Sequence, residues 1–145
     1  MESLGISFVS QIVTPTILVS ASGLLLLGLQ NKYARIIDRV RSLNEIKMGI
    51  KNSIVQERNI SLQMKYLLKR AELLRTAIFC LYVGILFFIL ASMVIGLHVF
   101  NVLSDFGVII FFSTGLFAMF LGVLHAILDV QNSFRIIKLE LKRVQ

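Results

Sequence analysis

The chain predicts an all-α integral membrane protein with three transmembrane helices and a long cytoplasmic antiparallel helical hairpin between the first and the second. Three observations predict it. Residues 3–31, 76–104 and 106–128 contain no Asp, Glu, Lys or Arg, and each run exceeds the roughly 20 apolar residues that cross about 30 Å of hydrocarbon. The composition is 57% hydrophobic with mean hydropathy +0.83 over 145 residues, against roughly 45–50% apolar in a soluble domain. Finally, 11 of the 15 Lys and Arg residues fall between Lys32 and Arg75, and the other four between Arg135 and Arg143.

These runs divide a single membrane domain, 1–145, into spans near 4–31, 76–100 and 106–128, a hairpin over 32–75 and an amphipathic tail over 129–145. Neither water-facing part is long enough to bury a core of its own. The basic residues orient the chain by the positive-inside rule, with the N-terminus outside and the hairpin and C-terminus in the cytoplasm. A formal charge of +7 therefore reads as topology and contact with the lipid bilayer. Nucleic acid is not expected as a partner, since only Tyr33 and Tyr66 interleave with the charges.

The first span begins with a segment, 6–19, that would suit a secretory leader ending at Ser20, Ala21 and Ser22. Acidic Glu2 and the continuing apolar run to Leu29 argue instead for an uncleaved helix. Its polar residues are ordered: Ser7, Ser10, Gln11, Thr14 and Ser22 fall within one arc of about 120° at about 100° per residue. Such a stripe avoids lipid by bonding a neighbouring helix or by lining a watery path, which makes these five the pore-lining candidates. Pro15 lacks the N–H that would bond the carbonyl of Gln11, so it either kinks the helix or breaks it at Thr14.

The hairpin follows without a gap, because Ile36, Val40, Leu43, Ile46 and Ile50 recur at helical spacing. Its return arm repeats the pattern at Ile60, Met64, Leu67, Ala71, Leu74 and Ile78. Gly49 suits a helix end and Ser53 with Gln56 a capping box, which places the tip at 48–53. The facing stripes would zip the arms together, and they could also zip neighbouring subunits as a coiled coil. In the tail, Phe134, Ile137, Leu141 and Val144 lie opposite Arg135, Lys138 and Lys142, which suits a helix resting on the hairpin base or the headgroups.

The second span is the most uniformly apolar. The third carries small residues at every fourth place, Thr114, Ala118, Gly122 and Ala126, a ridge for close helix packing within or between subunits. His125 and Asp129 stand one turn apart at its end and can contact each other, with Arg75 or Arg35 as basic partners for Asp129. Cys80 is the single cysteine, so no intrachain disulfide can form. No nucleophile with its base, phosphate loop or metal-ligand spacing is present, so neither catalysis, a cofactor nor a metal is expected.

Three segments carry a family resemblance: Thr14-Pro15-Thr16-Ile17-Leu18 through Asn31-Lys32 to Arg39-Val40-Arg41-Ser42-Leu43; Leu68-Lys69-Arg70-Ala71-Glu72-Leu73-Leu74-Arg75-Thr76-Ala77-Ile78; and Asp129-Val130-Gln131-Asn132-Ser133. In order and spacing the chain resembles the bacterial membrane proteins grouped as the domain of unknown function 2721 family, which often have glutamate at the position of Asp129. The resemblance implies a three-span bacterial membrane protein and supplies no activity or binding residues; the expected location is the inner (plasma) membrane. Function is thus expected from the physics alone. The leading expectation is a homo-oligomer that could form a small ion channel lined by the polar face of the first span, because three helices alone leave no room for a conduit. The rival is a non-conducting scaffold whose hairpin docks a cytoplasmic protein partner.

Overall fold

The computed structural model describes the backbone of residues 2–49, 54–98 and 105–144, and side chains within 13–49, 55–97 and 106–133. The described residues form three helices: α1 (Glu2–Gly49), α2 (Ile54–His98) and α3 (Asp105–Val144). No strand occurs among the described residues. All three helices are long and apolar enough to cross a membrane. The chain is a multi-pass membrane protein on these grounds.

The helices outlast the hydrocarbon. At about 1.5 Å per residue, the 48 residues of α1 extend about 72 Å, more than twice the roughly 30 Å of bilayer core. The apolar run and the charged arm are therefore one continuous helix in α1, and the same holds for α2. In α3 the helix likewise continues unbroken from the apolar run to Val144. The tail is thus a continuation of α3 and not a separate helix, although its amphipathic face from Phe134 onward lies outside the described side chains. Ser53, the expected cap, also lies outside the described residues, and Gly49 is the last residue of α1.

Buried positions explain how the helices stack. Along α2, Leu74, Ala77, Leu81, Gly84, Phe88, Ala91 and Ile95 are all buried and follow one another by three or four residues. That alternation averages 3.5 and keeps one stripe of a helix against its neighbour. Among the described residues of α3 the buried positions are Gly115, Gly122 and Asp129, each seven apart.

The central element is α2, which packs on both other helices, while α1 and α3 touch little. Its charged half runs antiparallel to α1. Ile36, Ala71 and Leu74 form a buried cluster flanked by Leu29, Tyr33, Ile37 and Leu67, and Lys47 pairs with Glu57 near the turn at 3.7 Å. Its apolar half packs on α3 through glycines. A Cβ on Gly115 would lie 3.0 Å from the Phe88 ring, and one on Gly122 would lie 3.0 Å from Leu81 Cγ and 3.1 Å from the Ala77 carbonyl. Phe87–Phe111 and Phe88–Phe112 ring pairs, with centroids 6.1 and 5.7 Å apart, extend this seam.

A buried carboxylate where three helices meet as the candidate functional site

Polar groups inside an apolar span must be satisfied within the protein. Most described hydroxyls solve this locally by donating to the carbonyl four residues back. Ser20 donates to Thr16 at 3.1 Å, Ser92 to Phe88 at 2.9 Å and Thr114 to Ile110 at 2.7 Å. Such bonds stay within one turn and need no water.

Among the described residues, Ser22 and Gln30 reach across helices in the apolar region. Ser22 is only 1% exposed; its hydroxyl donates to the Leu18 carbonyl at 2.6 Å and lies 3.6 Å from the Met119 sulfur of α3. Farther along, Gln30 Nε2 donates to the Tyr82 hydroxyl at 2.6 Å, joining α1 to α2.

The most costly group is Asp129, whose side chain is 0% exposed. Burying a lone carboxylate is prohibitive, so it must be paired. Arg70 Nε of α2 donates to its Oδ1 at 3.2 Å, and Lys32 Nζ of α1 stands 2.5 Å from its Oδ2. The Lys32 contact is an ion pair outside hydrogen-bond geometry. One carboxylate on α3 thereby ties both other helices, although α1 and α3 share little else.

This node sits at the same end of all three uncharged runs. Lys32 is the first charged residue after Glu2, Asp129 is the first after Asp105, and Arg70 lies five residues before Arg75, the last before the second run. Its chemistry is electrostatic: two cations face one anion. Among the described residues no group of three or more His, Cys, Asp or Glu is placed to hold a metal.

The residues expected to act distribute as follows. Thr14 is exposed, and Ser22 is sealed against α3; Ser7, Ser10 and Gln11 lie outside the described side chains. Ser22 therefore cannot line a path, because Met119 covers it. Pro15 is buried, and α1 continues through it, so the helix does not break at Thr14. On the third-span ridge, Gly122 is buried against α2, Ala118 and Ala126 are half-buried and Thr114 is exposed. The ridge is therefore not a continuous surface for a second subunit.

The expected partners of Asp129 need correction. Arg35 and Arg75 are exposed, each about 100° from the buried residue beside it, Ile36 or Leu74, whereas Lys32 and Arg70 stand four residues, about 40°, from those same two residues and so face inward. His125 does not take up the carboxylate either: its Nδ1–H donates to the Leu121 carbonyl at 2.8 Å, since two full cations outbid a ring nitrogen for the same anion.

Sequence reasoning also missed Lys32, Arg70, Gly84 and Gly115. The seven-residue step from Gly115 through Gly122 to Asp129 was the available signal, since it marks one face of α3. Nothing in the sequence chose Lys32 and Arg70 from among eleven neighbouring basic residues.

No curated protein and no solved structure shows significant similarity to the chain. The profile of the family described as "Protein of unknown function (DUF2721)" matches residues 12–139. That stretch contains the second and third apolar runs, the first from residue 12 onward and all three residues of the node, and the chain belongs to this family.

Proposed function

We propose that the protein is a homo-oligomeric inner-membrane protein whose three-helix unit is the subunit, with the hairpin and C-terminus in the cytoplasm and α1 at the joint between copies. One observation carries this reading: Thr14, Ala21 and Gly28 stand seven residues apart on α1, all exposed. A Cβ on Gly28 would meet nothing within 4 Å. Seven residues is about two turns, so the three make one line of small side chains, the surface on which helices approach closely in lipid. The third-span ridge is a poorer joint because Gly122 is spent inside the subunit.

Cross-linking tests the joint. In a Cys80→Ala background, Gly28→Cys should give a disulfide-linked dimer on oxidation in membranes, and Gly28→Leu should lower the oligomer mass without lowering the subunit's melting temperature. Monomeric Gly28→Cys together with unchanged mass for Gly28→Leu would remove α1 from the joint.

A second reading is an ion channel, favoured by Thr14, an exposed residue on the polar side of α1. A third is a scaffold that docks a cytoplasmic protein, favoured by Val55, Leu62 and Tyr66, which are exposed together on the outer face of the α2 arm. Reconstitution into bilayers separates them. Single-channel currents whose selectivity shifts with Thr14→Ala support conduction, and silent, well-folded oligomers over a range of voltage and tension support the scaffold.

A further inference from the structure

The three-helix node holds more positive than negative charge, and its cations reach the surface while its carboxylate does not. Lys32 is 35% exposed and Arg70 20%, against 0% for Asp129. One cation would have neutralised Asp129, so the second leaves a net charge of one on a partly buried site. A half-buried unbalanced charge is costly unless an anion completes it. We propose that the phosphate group of an acidic phospholipid completes this node, held by Lys32 and Arg70 at the membrane edge.

The donor chemistry fits. Arg70 meets Asp129 through Nε, and the other four N–H donors of a guanidinium lie on its Nη atoms. The Lys32 ammonium has three donors and faces a single oxygen of Asp129. A phosphodiester presents acceptor oxygens that can bridge a guanidinium and an ammonium.

The level fits as well, because the node lies where the uncharged runs end, at the depth of lipid headgroups. Basic pockets between membrane helices at that depth suit anionic headgroups. Exposed Arg35, three residues beyond Lys32, and exposed Lys69 beside Arg70 raise the local positive potential. Asp129 then acts as a positioning residue: it fixes the two cations side by side and leaves their outward donors to the lipid. The site stands on the ion pairs alone and holds whether or not the protein is an oligomer.

The test measures lipid retention by the full-length protein in mixed micelles holding equal phosphatidylglycerol and phosphatidylcholine. The wild type should retain phosphatidylglycerol about fivefold over phosphatidylcholine, the discrimination expected from one cation at a membrane surface. Lys32→Gln should lower that ratio severalfold while the protein stays folded, because Arg70 and Asp129 remain a one-to-one pair and only the diffuse attraction of Arg35 and Lys69 is left. Lys32→Arg, which keeps the charge, should retain the preference. Arg75→Gln removes an exposed cation outside the node and should lower the ratio far less than Lys32→Gln does. No preference in the wild type, its loss in Lys32→Arg, or an equal loss in Arg75→Gln would overturn the proposal. Excess inorganic phosphate distinguishes the source: full displacement of phosphatidylglycerol by free phosphate would make this an anion site and overturn the lipid assignment.

Discussion

Gly84 of α2 and Gly115 of α3 abut so closely that a Cβ on Gly84 would lie 3.1 Å from the Gly115 carbonyl oxygen and 3.3 Å from the Met119 amide nitrogen. Both neighbours are backbone atoms, which cannot rotate aside. Gly84→Ala must therefore push the two helices apart, at about 1–3 kcal/mol. Thermal unfolding in detergent should show a lower melting temperature. Gly23→Ala is the matched control, since nothing lies within 4 Å of its added methyl; it should leave stability unchanged or raise it by roughly 0.5–1 kcal/mol.

Gly122→Leu should disrupt the subunit itself. Its Cβ alone would press on Leu81 Cγ at 3.0 Å and on the Ala77 carbonyl at 3.1 Å, and three further carbons have no place to go. Increased protease cleavage, with loss of the folded monomer as well as of any oligomer, is the expected outcome. A folded monomer that only fails to assemble would return Gly122 to a subunit joint.

Ser22→Ala should cost less than about 1 kcal/mol, because the lost hydroxyl bonds a carbonyl of its own helix and its contact with the Met119 sulfur is weak. Should the protein conduct, the same variant should leave selectivity unchanged, since Ser22 is 1% exposed. Thermal unfolding of Ser22→Ala checks the first statement, and bilayer recordings beside Thr14→Ala check the second.

Glu57→Ala should move stability by no more than about 0.5 kcal/mol, because the Lys47–Glu57 pair is open to solvent; the side chains are 36% and 56% exposed. Chemical denaturation of the two proteins side by side is sufficient to check this. A larger loss would mean that the end of the hairpin depends on this contact.

Much of the architecture was legible in the sequence because hydrocarbon thickness and helix rise leave few solutions for long uncharged runs. The return arm was legible for the same reason: Ile60, Leu67, Ala71 and Leu74 keep helical spacing, and the structure buries or half-buries each of them. The site was less legible. Spacing placed Asp129 at the edge of a span, but its partners depend on which way Lys32 and Arg70 turn, and that is set by packing of helices distant in sequence. The glycine contacts escaped for a related reason. A ridge stepping by four, Thr114 to Ala126, drifts around the helix by about 40° per step, whereas Gly115, Gly122 and Asp129 step by seven and stay on the face that α2 covers.

The central claim is that Asp129 holds α1 and α2 to α3 through Lys32 and Arg70. Thermal unfolding of Asp129→Asn, measured beside Lys32→Gln in the same detergent, tests it most directly. The account predicts a loss of about 3–5 kcal/mol for Asp129→Asn, which strands two cations, and a smaller but measurable loss for Lys32→Gln, which unties α1 yet leaves Arg70 paired with the carboxylate. An Asp129→Asn protein that melts with the wild type would contradict it.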